Sequence, residues 1–225
     1  MNTKNMPHGY TNQTQLTPRG ILKRYMGPGA MNRWQTERNL LPVISEYLPV
    51  PPLLKQKNTG EIVTKRMYGL HGLDMVENGQ SSIVLTALGK LLKLVQEVPA
   101  QKLHGLITGN GPVLVHGDYG PQNLLLNAKT NEPVALVDWE WAHLGDAVED
   151  VASVEWTFRM FYTKEASKIQ LFYEAYGEIP PWEERHEAMM SICKRQLEFA
   201  RLLGKRKIIQ QSQNRLHITS RFLSL

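Results

Sequence analysis

A single cysteine, Cys193, stands in the chain of 225 residues, so neither an internal disulfide framework nor a multi-cysteine zinc site can form. No His-Glu-x-x-His or comparable ligand spacing occurs, which argues against a zinc enzyme. Gly-x-x-x-x-Gly-Lys-Ser/Thr is missing too, and that excludes a P-loop fold. Long apolar runs are also lacking. Each is broken by a charge, a proline or a glycine well before the roughly 20 residues that a bilayer span requires. With 42% hydrophobic and 21% charged residues, a soluble globular protein without a membrane partner is expected. Met1 to Gln15 carry no positively charged segment followed by an apolar stretch and a small-residue cleavage site, so no secretory signal is read and the cytoplasm is the expected compartment.

Lysine and arginine are absent from one stretch that is rich in acids. Asp138 to Glu155 holds six of them (Asp138, Glu140, Asp146, Glu149, Asp150 and Glu155) and no basic residue. From Lys194 to the end the imbalance reverses. Eight basic residues face only Glu198 there, and subtracting that +7 from the net +5 leaves −2 for everything before it. The basic residues of the tail are interleaved with apolar ones at helical intervals and lack a nucleic-acid-reading motif, so a solvated helix face with a ragged terminus is expected and a nucleic-acid partner is not.

Along the chain, Arg19 to Tyr25 reads as a strand carrying Lys23. Gly27-Pro28-Gly29 breaks it. A helix then runs from about Asn32 to Ser45, kinked or shortened at Pro42, with Glu37 one to two turns in and Glu46 as a competing acid. Leu53 to Gln56 and Glu61 to Met67 flank the turn Asn58-Thr59-Gly60, which predicts a hairpin. Tyr68 to Gln80 is a polar passage toward a second lobe. Ser81 to Val98 places Ile83, Leu85, Leu88, Leu91, Leu92 and Val95 on one helical face, which predicts a buried helix. Helices are expected again over Ala147 to Phe161, Lys168 to Tyr176 and Trp182 to Leu203.

The segment between them carries the chemistry. Val113-Leu114-Val115 ends on His116-Gly117-Asp118-Tyr119-Gly120-Pro121-Gln122-Asn123, and Leu124-Leu125-Leu126 follows. Val134-Ala135-Leu136-Val137 then ends on Asp138-Trp139-Glu140. With Asn127 to Pro133 as a polar turn, the last two apolar runs pair antiparallel and bring Asn123 and Asp138 to the same end of a hairpin. Taken singly, Asp and Asn at strand ends are ordinary turn formers. In this order and spacing they match the catalytic loop of phosphoryl-transferring kinases, where a carboxylate orients a hydroxyl and two further oxygens hold magnesium. Asp118 fits the first role, and Asn123 and Asp138 the second.

These residues, together with Gly145-Asp146-Ala147-Val148-Glu149-Asp150-Val151-Ala152, resemble the aminoglycoside phosphotransferase and choline kinase superfamily, specifically through Val113 to Ala152 and more loosely over Arg19 to Met67. The resemblance implies an α+β, protein-kinase-like two-lobed fold, with a small N-terminal sheet lobe at about residues 1–68 and a mainly helical lobe at about 69–225. By the same resemblance Asp118 is the base, Asn123 and Asp138 bind Mg²⁺, and Asp150 braces the catalytic loop through backbone hydrogen bonds. Asp138-Trp139-Glu140 in place of Asp-Phe-Gly favours a small-molecule acceptor over a protein.

Lys23 and Glu37, fourteen residues apart, suit the ion pair that presents a lysine to the nucleotide phosphates; their plainer reading is a surface lysine and a solvated glutamate. Gly9 to Thr14 is read as an abbreviated phosphate-covering loop in which Asn12 contributes. Thr64 to Met67 is placed at the interlobe hinge, against the edge of an adenine or guanine. His116 is expected to lock the loop by packing and hydrogen bonding. Asp146 either faces the cleft or caps the following helix, and Glu140 meets either a second metal ion or a substrate amine. Trp139, Trp141 and Trp156 read as core or cleft wall rather than stacking platforms. The expected activity is Mg²⁺-dependent transfer of the γ-phosphoryl group of ATP or GTP to a hydroxyl of a small molecule, with the acidic stretch suggesting a cationic one such as an aminoglycoside or amino alcohol. The alternative is a catalytically weak kinase-like nucleotide-binding or adaptor protein whose basic C-terminal tail docks a partner.

Overall fold

The computed structural model describes residues 12–54 and 58–224. It opens on a hairpin of β1 (Asn12–Thr17) and β2 (Gly20–Tyr25), in which Lys23 faces Thr14 across the pair. The strand β1 departs from the expectation of a loop: Asn12, Gln13 and Thr14 are strand residues, and Gly9 to Thr11 lie outside the described residues. β3 (Leu53–Leu54) and β4 (Glu61–Thr64) complete an antiparallel sheet of order β1-β2-β4-β3. Between β2 and β3 runs α1 (Ala30–Ile44), which buries Arg33, Glu37, Leu40, Leu41 and Ile44. That spacing of four, three, one and three residues makes a single stripe facing the sheet, and two of its five members are charged. Pro42 falls in the last turn, where the helix stops two residues later.

Thr64 is the last residue of β4 and pairs with Ile21 on one side and Leu53 on the other. Lys65 N–H donates to the Pro52 carbonyl, and Arg66 and Met67 follow outside any helix or strand. The polar passage that follows is more ordered than expected, for it contains β5 (Leu70–His71) and the short helix α2 (Gly72–Glu77). α3 (Ser81–Gln96) buries Val84, Leu85, Leu88, Leu91, Leu92 and Val95, each contributing about 1.5–3 kcal/mol on removal from water.

β6 (Thr108–Gly109), β7 (Val113–Val115), β8 (Leu124–Leu126), β9 (Pro133–Leu136) and β10 (His143–Gly145) form two small sheets. Their orders are β6-β10-β7 and β5-β8-β9. The hairpin β8–β9 is antiparallel with Leu124 opposite Leu136, as the apolar runs predict, and Val137 N–H donates to the Asn123 carbonyl just beyond it.

Four helices finish the chain: α4 (Val148–Phe161), α5 (Gln170–Tyr176), α6 (Trp182–Leu203) and α7 (Arg206–Thr219). α3 and α5 approach closely at Gly89, where an added Cβ would lie 2.4 Å from the Phe172 carbonyl oxygen. The solvated helix face expected from sequence is the helix α7, but its end is pinned rather than ragged. Thr219 is fully buried, its hydroxyl accepts from Trp156 Nε1 at 2.9 Å, and its carbonyl meets His186 Nε2 at 2.9 Å. No helix among the described residues is long and apolar enough to cross a membrane.

Candidate active site

The site is built where β2, α1, the loop after β7 and the chain after β9 converge. Alternation along β2 buries Lys23 and Tyr25 on the face toward α1, and α1 presents Glu37 to them. Lys23 Nζ lies 2.6 Å from Glu37 Oε2, which also accepts from Tyr25 OH at 2.5 Å. The same ammonium donates to Asp138 Oδ1 and lies 3.2 Å from Glu140 Oε2. Burial works to lower the Lys23 pKa, but the carboxylates of Asp138, Glu37 and Glu140 outweigh it and hold it above its ordinary value. Burial raises Glu37, against the pull of Lys23. For Asp138 the attraction of Lys23 overcomes burial and lowers the pKa.

Asp138 adopts φ 70°, a left-handed conformation that costs a non-glycine residue of order 1–3 kcal/mol and is typically retained where a side chain must be aimed. Here it turns the chain at the end of β9 so that Asp138 reaches Lys23 while Trp139 goes into the core. Trp139 is fully buried, its indole N–H donates to the Leu136 carbonyl, and its backbone N–H meets Glu37 Oε1 at 3.3 Å.

Opposite this group, Asp118 sits half-buried on the loop between β7 and β8. Asn123 Nδ2 donates to its carbonyl at 2.7 Å and to its Oδ2 at 2.9 Å, and Gln122 Nε2 reaches Oδ1 at 3.3 Å. Burial and the neighbouring Asp138 push the Asp118 pKa up to about 7, with the Asn123 and Gln122 amides opposing them. The loop itself is held from below. Asp150, at the start of α4, accepts the backbone N–H of His116 at 2.6 Å and of Gly117 at 3.1 Å. His116 Nε2 lies 3.0 Å from the Val137 carbonyl, while Nδ1 accepts the Asp118 N–H at 3.3 Å. Those two contacts define the neutral tautomer with its proton on Nε2, and burial lowers the His116 pKa to about 4. Gly117 has φ 80°, and a Cβ there would sit 2.4 Å from the Trp141 carbonyl oxygen.

The structure therefore brings Lys23, Glu37 and Asp138 into one cluster, with Asp118 and Asn123 paired beside it. Asn12 reaches the cluster from β1, donating to Glu140 Oε2 at 2.5 Å. Thr64 and Met67 contribute no side-chain contact to it among the described hydrogen bonds, consistent with their place in the link leaving β4. Glu46 is outside it, 3.6 Å from Lys102 on the surface. Asp146 is exposed and caps α4, its Oδ1 accepting Val148 N–H while Glu149 Oε1 accepts Asp146 N–H. Together the two bonds fix the approach to the first turn of α4.

One central residue escaped the sequence reading. Arg33, 3% exposed, donates to Glu140 Oε1 at 3.0 Å, to Asn12 Oδ1 at 2.9 Å and to the Met26 carbonyl at 2.5 Å. It lies one helical turn before Glu37, on the same stripe. That i, i+4 spacing was the available signal, masked because a buried arginine reads as solvated when its partner is remote in sequence.

The carboxylates of Glu37, Asp138 and Glu140 each offer an oxygen within 4.8 Å of the others. Three such groups against Lys23 and Arg33 leave formal negative charge over, and hard oxygen donors of this kind suit a magnesium ion.

The phosphotransferase enzyme family (APH) matches residues 106–187, the segment that runs from the approach to β6 into α6. No curated protein sequence matches the chain. Among solved structures, the GDP complex of aminoglycoside 2'-phosphotransferase-IIIa superposes with a TM-score of 0.76 at 12% identity, over 97% of this chain and 92% of that one. A thermostable mutant of aminoglycoside phosphotransferase APH(4)-Ia, in ternary complex with AMP-PNP and hygromycin B, gives 0.70 at 16% identity, over 98% and 93%. Macrolide 2'-phosphotransferase MphH from Brachybacterium faecium gives 0.68 at 16% identity, over 96% and 91%. The fold is thus the kinase-like two-lobed fold of the aminoglycoside phosphotransferases. The family match falls on the segment in which the resemblance was read, and the superposed structures share the fold of the whole chain.

Proposed function

We propose that the protein transfers the γ-phosphoryl group of ATP or GTP to a hydroxyl of a small molecule, using Mg²⁺, with residues 1–68 as the nucleotide-binding lobe and 69–225 as the catalytic and acceptor lobe. One observation carries this: a lysine braced by a helix glutamate touches Asp138, while Asp118, held by Asn123, sits beside them with a pKa raised toward neutrality. A structural ion-pair cluster has no use for that second, protonatable carboxylate.

Asp138 and Asn123 would hold the metal. The Asn123 amide directs its donors at Asp118, so its oxygen is the atom left to meet a cation. Magnesium supplies charge neutralisation on the phosphate oxygens. Lys23 turns its ammonium to the α/β-phosphates, with Glu37 fixing its direction. Asn12 lies on the strand above the same cluster, and within Thr64 to Met67 the backbone groups of Arg66 and Met67, beyond the sheet pairing of Thr64 and the Lys65 N–H bond to Pro52, are the ones that would meet the base. Asp118 accepts a hydrogen bond from the acceptor hydroxyl and aligns its oxygen with the γ-phosphorus. As the new oxygen–phosphorus bond forms and the bond to the β-phosphate oxygen breaks, the proton passes to Asp118. A carboxylate with a pKa near 7 is suited to that late transfer at neutral pH.

The adaptor reading is less well supported, because its docking tail is a helix with its end buried against α4 and α6. Thermal-shift titration with ATP and GTP, with and without Mg²⁺, tests the proposal. A ligand that binds the native state raises its stability, so magnesium-dependent stabilisation is expected and its absence refutes the reading. Asp118→Asn should lower turnover by about 10²–10⁴-fold with nucleotide stabilisation retained; a variant that keeps most of its turnover removes Asp118 from the role of base.

A further inference from the structure

The guanidinium of Arg33 joins pieces of chain that are far apart in sequence. It projects from α1, and its Nη1 donates to Asn12 Oδ1 on β1 at 2.9 Å and to Glu140 Oε1, beyond β9, at 3.0 Å. Nη2 donates to the Met26 carbonyl at 2.5 Å and reaches the Pro28 carbonyl at 3.4 Å, both in the turn from β2 into α1. Two rings lie against it. Its Cζ is 5.4 Å from the centre of the Trp141 ring and 5.9 Å from that of Phe199 on α6. A planar fork that bonds in several directions while it rests on aromatic faces is something a lysine cannot reproduce.

Asn12 closes a triangle with this pair. Its Oδ1 accepts from Arg33 while its Nδ2 donates to Glu140 Oε2 at 2.5 Å, and Glu140 accepts Arg33 through its other oxygen. Both ends of the Asn12 amide are therefore used, its orientation is fixed, and the first residue of β1 is tied to the chain that follows Asp138. Arg33 and Glu140 are buried, so these charge-assisted bonds form away from water, where they are strong. The tie matters because β1 is an edge strand that pairs only with β2. Among the described hydrogen bonds, no other side chain of β1 reaches beyond the β1–β2 hairpin; that of Thr17 stays within it, at Gly20 and Arg19. The cluster below is the one assigned to the phosphates, for Glu140 Oε2 also lies 3.2 Å from Lys23 Nζ.

We propose that Arg33 is a positioning residue for the nucleotide: acting through Asn12 and Glu140, it holds β1 against the Lys23 cluster, so that the strand covering the phosphates is already ordered when nucleotide arrives. The proposal deepens the phosphotransfer reading above and rests on it. Arg33 bonds to no reacting atom in it. Its effect is preorganisation, which removes an ordering cost that would otherwise weaken binding.

The test measures the Kd of AMP-PNP and GMP-PNP with Mg²⁺ by calorimetry on the full chain, well below its melting temperature, for wild type, Arg33→Lys, Asn12→Ala and the double variant. Ordering one strand residue at binding lowers affinity about 5–30-fold, so Arg33→Lys should raise the Kd by about that factor. In the Asn12→Ala background the same change should alter the Kd by less than about twofold, because residues that act through one contact are not additive. Amide hydrogen exchange without nucleotide should show β1 exchanging faster, relative to the β8–β9 hairpin, in Arg33→Lys and in Asn12→Ala than in wild type. A folded Arg33→Lys whose Kd stays within about twofold of wild type, or full additivity in the double variant, overturns the proposal, since a role in stability alone moves neither. If Arg33→Lys fails to fold, β1 amides that exchange at the wild-type rate in Asn12→Ala overturn it as well. Binding by wild type separates the two failures: where an analogue binds with Mg²⁺, the phosphotransfer reading stands when the Arg33 proposal falls; where neither binds, both are removed.

Discussion

His116 offers a measurement that reads the loop between β7 and β8 without any ligand. Its imidazole is fully buried, with Nε2–H on the Val137 carbonyl and Nδ1 receiving the Asp118 N–H. A second proton on Nδ1 would set two donors against each other in a dry site. Burial accordingly lowers the pKa from 6.5 to about 4. Between those values the unfolded chain binds a proton that the folded chain refuses. The stability contributed by neutral His116 is therefore complete above pH 6.5 and declines as pH falls toward 4. At roughly 1.4 kcal/mol per pH unit the full span is worth about 3 kcal/mol, of which about 2 kcal/mol is lost between pH 7 and pH 5. Asp118 and Asp150 act in the opposite direction, since their pKa values are raised to about 7 and about 6, so the wild-type profile alone is a sum of opposing effects. The informative quantity is the difference in urea-unfolding free energy between wild type and His116→Gln at the two pH values. The advantage of wild type should shrink by about 2 kcal/mol on acidification; a difference that stays constant within about 0.5 kcal/mol refutes the assignment of a neutral, locked histidine.

Other perturbations reach different parts of the site. Arg33→Lys keeps the charge but loses the fork that joins Glu140, Asn12 and the Met26 carbonyl, so thermal melting should show a clear loss of stability, and Arg33→Ala should cost about 3–5 kcal/mol by leaving Glu140 short of a partner in a buried setting. Gly117→Ala puts a Cβ into the Trp141 carbonyl at a left-handed residue; a displaced Asp118 should lower kcat by about 10²-fold while circular dichroism remains native, and full activity would contradict the tight approach. Glu155→Gln strips the charge from a carboxylate shared by Arg159 and Arg185; a loss of about 3–5 kcal/mol in chemical denaturation is expected, and a neutral outcome would show the cluster to be dispensable.

Much of this arrangement is legible before any coordinates, because the decisive contacts are local or carried by strong patterns. Asp118 and Asn123 are five residues apart on one loop, and the β8–β9 hairpin brings Asp138 to them through a short polar turn. α3 is readable because its leucines fall on one face. Harder to read are pairings set by distant packing. Arg33 meets Glu140 across 107 residues, and its spacing from Glu37 marks the buried stripe without naming the partner. β1 was hidden because polar residues dominate Asn12–Thr17 and only its pairing with β2 makes it a strand. The acidic stretch shows a related limit: composition counts its charges but cannot show that Lys23, Arg33, Arg185 and Arg195, all far off in the chain, are folded against them. α7 was read only as a solvated helix face with a ragged terminus, because the Thr219 hydroxyl that anchors its end is a single buried group.

The lysine held by three acids has a consequence for the order of assembly. As long as its ammonium rests on Asp138, a divalent ion arriving by itself competes with a cation already in place, and its grip is weak. Phosphates arriving with the ion draw the ammonium away and release the carboxylate, so that each newcomer makes room for the other. On the proposed reading, ion and triphosphate bind cooperatively and reciprocally, and replacing Lys23 with methionine should let the bare metal bind more tightly while the nucleotide binds less well.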